Sequence, residues 1–219
     1  MTEPLRVRPR GRPRKDVDPA PVDDALAAAL HAFATHGYNG VSVRTLNREL
    51  GVSHNLLHQR FGSKSAIWHA AVDWGFTPLV EKLEITDDPN ACPFDRLHAW
   101  IRSFVEHQAE HPDLLRLVTM EASERTERLD YIYDTFIAPA WARFGALHEE
   151  LNRQGLIRRV SLRSIFFMIT SGGSAVFGSR ALAQRLSDED PFTPEEVGAH
   201  ARYVADTIIA GLKPSQHCE

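Results

Sequence analysis

Cysteine is scarce in this chain. Only Cys92 and Cys218 occur in 219 residues, far apart, so neither a disulfide framework nor a cysteine-based metal knuckle is expected, and both read as free thiols. Long apolar runs are also missing. No stretch approaches the roughly twenty residues that span a bilayer, and the basic N-terminus lacks the apolar core of a secretion signal. The expected location is therefore the cytoplasm. No segment alternates apolar and polar residues with the period of a strand, which leaves an all-α fold. Glycines are too few and wrongly placed for a phosphate loop, which would follow a strand. Their closest grouping, Ser171-Gly172-Gly173-Ser174, sits inside an apolar helical pattern and suits the close approach of another helix.

What is present is an ordinary globular composition, 43% hydrophobic and 25% charged, in a 24.6 kDa chain able to bury a large core. The formal net charge of −4 hides an asymmetry. Residues 1–70 carry ten basic against six acidic side chains, a net of +4, which leaves −8 for the remainder. A basic third on an acidic body suits a protein that meets a polyanion at one end only.

Within that basic third, residues 43–61 read VRTLNRELGVSHNLLHQRF. Val43, Leu46 and Leu50 form one short apolar stripe, and Leu56, Leu57 and Phe61 form a second. Between them, Gly51 suits a helix end and Ser53 suits the cap of the next helix. This is a helix-turn-helix pattern, whose second member protrudes enough to enter a major groove. Upstream, Asp23 and Asp24 open a helix striped with Ala25, Leu26, Ala29, Leu30 and Phe33, which Gly37 ends, and Ser42 is a natural N-cap for the helix after it.

The run from Ala29 to Ala71 resembles the DNA-binding domain of the TetR family of transcriptional regulators. The resemblance rests on Ala29-Leu30, Phe33, Gly37-Tyr38, Ser42-Val43-Arg44, Gly51-Val52-Ser53 and Phe61-Gly62-Ser63-Lys64 in unbroken order. Two positions depart from the family pattern. Asn47 replaces a common small Ala, which loosens local packing or gains a side-chain hydrogen bond. His58 replaces a Tyr that usually meets phosphate, a contact histidine can also donate to.

Facing outward from the second helix of the motif are His54, Asn55, Leu56, His58 and Gln59. Base readout is expected from His54, Asn55 and Gln59, with lesser parts for Leu56 and His58, because Asn and Gln can pair with adenine and apolar groups touch thymine methyls. Ser42 and Ser53 are the cap positions of the two helices, and Arg44, Arg60 and Lys64 are expected to hold the DNA backbone. Residues 1–20 alternate Arg with Pro and Gly and are expected to be a disordered basic arm. Gly11-Arg12-Pro13-Arg14-Lys15 resembles an AT-hook core, so Arg12 and Arg14 become minor-groove candidates, against the alternative of a solubilising tail.

Residues 21–69 then form the helix-turn-helix domain and 70–219 a larger helical domain, about nine helices in all. The expected helices of the larger part are 63–84 with a bend at Gly75 and Pro78, 94–111, 113–122, 126–154 kinked near Pro139, 161–186 and 194–212. The resemblance implies a homodimer joined through the last two, with recognition helices about 34 Å apart. It also implies a pocket whose ligand reorients the fourth helix and releases DNA. Trp100, Phe104, His107, Met120, Phe136, Trp141 and Phe167 are the candidate lining, and they suit a hydrophobic or aromatic small-molecule effector. The expected function is thus a ligand-responsive regulator, a repressor by preference, with no enzymatic activity and no cofactor.

One segment supports another class. His107-Gln108-Ala109-Glu110-His111 matches the H-x-x-E-H pattern of inverted zinc peptidases. His111 precedes Pro112, which biases it away from helical geometry and is expected to spoil the ligand pair. A zinc-dependent hydrolase and an effector-independent DNA-binding protein are the alternatives carried forward.

Overall fold

The computed structural model describes residues 22–49, 56–86 and 88–214, and every regular element among them is helical. Helix α1 (Val22–Gly40) begins with Asp23 and Asp24, whose carboxylates favour the positive end of the helix. It buries Ala25, Leu26, Ala29, Leu30 and Phe33. Its regular course breaks at Gly37, where φ is 69° and a side chain would be strained.

Helix α2 (Val43–Glu49) starts under Ser42, whose Oγ accepts from the Thr45 amide at 3.1 Å. Helix α3 (Leu56–Phe61) follows, and Leu57 is sealed in the core with Leu46 and Val41. Asn47, fully buried, accepts a hydrogen bond from the Leu57 amide through Oδ1 at 3.3 Å. The hydrogen bond weighed for this departure from the family pattern is present.

Helix α4 (Lys64–Thr86) opens under a Ser63 cap and runs through Pro78. Its first half buries Ile67, Trp68, Ala71 and Val72 against α1, and its second half buries Phe76, Leu79 and Leu83 in the larger part of the chain. One helix therefore belongs to both cores.

Helices α5 (Pro93–Glu110) and α6 (Pro112–Glu121) meet at His111, which leaves helical geometry at φ −131°, ψ 63° as Pro112 requires. The segment expected as one kinked helix over 126–154 is α7 (Glu127–Ile132), a π-helical turn (Tyr133–Ile137) and α8 (Ala138–Arg153). The disturbance lies just ahead of Pro139, which has no amide to continue the ladder. Ala138 instead donates back to the Tyr133 carbonyl, one residue further than in an α-helix.

The helix expected over 161–186 is more broken still. It comprises α9 (Leu162–Phe167), a second π-helical turn (Met168–Gly173), α10 (Ala175–Gly178) and α11 (Arg180–Leu186). Gly172, Gly173 and Ser174 hold a helix weakly, and His200 Nε2 lies 2.7 Å from the Gly173 carbonyl, the geometry of a hydrogen bond from the ring to that oxygen. A Cβ on Gly173 would come within 2.8 Å of Val204, so the small residues do admit another helix, α12 (Pro194–Leu212) of the same chain. Helix α12 is capped by Thr193 and packs along α5, burying Val204, Ile208 and Ile209 within the monomer. The breaks within these two segments account for the excess over the nine helices expected.

Candidate nucleic-acid interface and ligand cavity

Helix α3 presents His58, Gln59 and Arg60 to solvent in succession, while Leu57 and Phe61 anchor its opposite side. Arg44 is exposed on α2, beside the exposed Ser42. These five expected contacts are all exposed on the small domain. Leu56 opens α3 at the backbone level, and Ser53, His54, Asn55, Arg12 and Arg14 lie outside the described residues.

Lys64 is half-buried at the start of α4. Its Nζ sits 4.3 Å from the centre of the Tyr38 ring, which also receives the Arg128 guanidinium at 4.4 Å. Desolvation, and then the repulsion of Arg128, push the Lys64 pKa below its ordinary value. The ring therefore joins α4 to the start of α7 through two cations. Arg128 in turn donates to both oxygens of the buried Glu121 at 3.0 Å, at the end of α6.

A cavity of about 250 Å³ lies among α4, α5, α6, α8 and the two π-helical turns. Trp100 and Phe104 stack 5.7 Å apart on one wall. Trp141 meets Phe166 edge-on at 5.0 Å, and Phe136 stacks on Phe76 at 5.1 Å. Phe167 stands at the rim, 57% exposed. Both π turns reach the cavity, the first with Phe136 and Ile137 and the second with Thr170 and Ser171. An extra residue per turn re-aims a side chain, so the irregularity shapes this wall.

Five of the seven expected lining residues, Trp100, Phe104, Phe136, Trp141 and Phe167, are brought together here. Two are not. Met120 points to the small domain, where its Cε would stand 3.3 Å from a Cβ on Gly37. His107 is buried on another side of α5, beside Gly75 of α4 and His111. The sequence reading missed Phe76, Leu79, Val80 and Leu83 of α4, although their i, i+3, i+4, i+7 spacing marks one apolar face. It also missed Gln108, the one polar side chain of α5 that lines the cavity.

His111 leaves the helix as expected, yet the ligand pair is not spoiled. The His107 and His111 rings are 4.5 Å apart, and ligand atoms of His107, Glu110 and His111 all lie within 4.8 Å of one another. The break turns the His111 ring back toward α5. Lys82 Nζ lies 3.6 Å from Glu110, placing a competing cation on the only carboxylate of the group. His107 is 2% exposed, so its ring is sealed from solvent. Burial, followed by the repulsion of His111 and Lys82, drives the His107 pKa down to about 4.

The comparisons with known proteins match the chain in two separate stretches. Residues 25–71 match the model described as bacterial regulatory proteins, tetR family, and residues 93–208 match the tetracyclin repressor-like C-terminal domain. The HTH-type transcriptional repressor SCO4008 of Streptomyces coelicolor is 27% identical over 97 residues, 44% of this chain. The match spans 47% of that curated relative, about half its length. Among solved structures, the ketosteroid transcriptional regulator KstR2 of Mycobacterium tuberculosis superposes with a TM-score of 0.68 at 16% identity, over 88% of this chain and 94% of that one. A regulatory protein in the tetR family from Rhodococcus RHA1 gives a TM-score of 0.66 at 20% identity, over 89% and 98% of the two chains. Two domain models that together cover most of the chain, on a matching all-helical fold, place this protein in the TetR family of bacterial regulatory proteins.

Proposed function

We propose that this protein is a ligand-responsive transcriptional repressor that binds a palindromic operator as a homodimer and is released by a small, largely apolar effector. The observation that carries the reading is the double membership of α4. Phe76, Leu79, Val80 and Leu83 line the cavity, while Ile67, Trp68 and Ala71 of the same helix support the core beneath α3. A rigid helix shared by two sites gives a ligand in one of them leverage on the other. A differential affinity of about 1–3 kcal/mol for the DNA-incompetent state is enough to regulate.

Helix α6 offers a second link. Leu114, Leu115, Val118 and Thr119 line the cavity, while His31 of α1 meets Asp113 at 2.9 Å. On this reading His54, Asn55 and Gln59 read bases, with lesser parts for Leu56 and His58, and Arg44, Arg60 and Lys64 hold the backbone. Arg12 and Arg14 reach an adjacent minor groove. Dimerisation uses the outer side of α9 to α12, where Met168, Leu182, Leu186 and Tyr203 are exposed. No helix among the described residues is long and apolar enough to cross a membrane, which agrees with a cytoplasmic DNA-binding role.

The test is binding of the full chain to the DNA upstream of its own gene. Protection of a palindrome with half-sites about one helical turn apart, relieved by an aromatic small molecule, is expected. Binding without sequence preference and insensitive to every such molecule would remove the regulator reading.

A further inference from the structure

The cavity is apolar except at a few points, and one of those is unsatisfied. Gln108 is 3% exposed, lines the cavity, and its Oε1 has no hydrogen-bond partner in the protein. Burying an amide oxygen without a donor is unfavourable, so such a group calls for a partner.

Three other polar side chains of the lining narrow the choice. Thr119 donates its hydroxyl to the Leu115 carbonyl, Ser123 to Met120 and Thr170 to Phe166, all at 2.8 Å. Their protons are committed, so these oxygens can only accept from a ligand. Among the described residues no charged side chain lines the cavity, so a carboxylate, phosphate or ammonium would be desolvated without compensation.

We propose that the cavity takes an uncharged aromatic or alicyclic molecule carrying a single hydroxyl, which pairs with the Gln108 carboxamide while its rings lie among Trp100, Phe104, Phe136 and Trp141. A hydroxyl also accepts from the Gln108 amide group, so it satisfies the carboxamide whichever way round the amide sits. The size agrees with one or two fused rings, because an apolar cavity of about 150 Å³ already holds benzene and this one is about 250 Å³. The inference rests on the effector reading above but concerns recognition, so the two can fail separately.

The experiment is calorimetric titration of the full chain and its Gln108→Leu variant with 5-indanol, indane and indane-5-carboxylate. The expected result for the natural chain is 5-indanol binding at least tenfold more tightly than indane, with the carboxylate weakest. In Gln108→Leu the preference for the hydroxyl should fall to within about threefold or reverse, since one hydrogen bond of this kind is worth about tenfold. The same variant, without ligand, should melt about 3 °C higher, because an unpaired carbonyl has been removed from an apolar site. An unchanged hydroxyl preference in the variant, a lower melting temperature, or no binding of any of the three probes would overturn the assignment. If 5-indanol binds through Gln108 but leaves operator binding intact, the effector reading fails and the assignment stands.

Discussion

The Leu57 amide donates to the buried Asn47 Oδ1 across the α2–α3 turn, 3.3 Å apart. Leu57 is the second residue of α3, where backbone amides have no acceptor within their own helix. A side chain of the preceding helix thus fixes the start of the recognition helix.

Replacing Asn47 by Ala should leave that amide without its acceptor and lower stability by about 1–3 kcal/mol. Urea denaturation reads the loss as a lower midpoint, and operator affinity should drop with it. A variant as stable as the natural chain would show that the hydrogen bond does not hold α3.

Arg44 and Arg60 are exposed on α2 and α3, as a backbone contact requires. Changing either to Ala should weaken binding to all sequences alike and reduce the salt slope by about one unit, whereas Gln59→Ala should relax preference at one base position. Selection from a randomised operator pool separates the two. A change of consensus in Arg60→Ala would contradict the division of roles.

The middle of α4 couples to the cavity through a close packing. A Cβ on Gly75 would lie 2.7 Å from Leu114 Cδ2 and 3.0 Å from Leu30 Cδ2, and Leu114 also lines the cavity. Overpacking typically destabilises by about 1–3 kcal/mol, against about 1 kcal/mol gained by removing glycine from a helix. Gly75→Ala should therefore be mildly destabilising and, by pushing Leu114 inward, should reduce the affinity for 5-indanol. Calorimetry that finds tighter binding would mean Leu114 moves away from the cavity.

Acidification should act on His107. Its folded pKa of about 4 lies below the ordinary 6.5, chiefly because burial disfavours the imidazolium. The unfolded chain then takes up a proton that the native chain refuses, so stability is fully present above pH 6.5 and declines as pH falls toward 4. The loss is on the order of 3 kcal/mol. His111 and His148, both also lowered by burial, steepen the same window. Denaturation midpoints measured at pH 7 and pH 5 should differ less in His107→Leu than in the natural chain, and equal differences would remove His107 as the cause.

The outer apolar side chains provide a test of assembly. Leu186 is 81% exposed and Tyr203 70%. Leu186→Asp with Tyr203→Glu should shift sedimentation from dimer to monomer and weaken operator binding while thermal stability changes little. A dimer of unchanged mass would place the interface elsewhere.

Local order of residues was sufficient for much of this. Capping serines at 42 and 63, the stop at Gly37 and the run from Phe61 to Lys64 announce the small domain, because caps, glycine stops and apolar periodicity act over a few residues. The aromatic residues of α5 and α8 likewise announced most of one cavity wall. Three things needed the folded chain. Whether an aromatic at helical spacing fills a core or borders a void depends on what stands opposite, which separated Phe104 from His107 and Met120. The second π turn arises where a helix must answer His200 and Val204, far off in sequence. The unpartnered oxygen of Gln108 is a property of its surroundings, since a glutamine in a sequence carries no mark of whether anything reaches it.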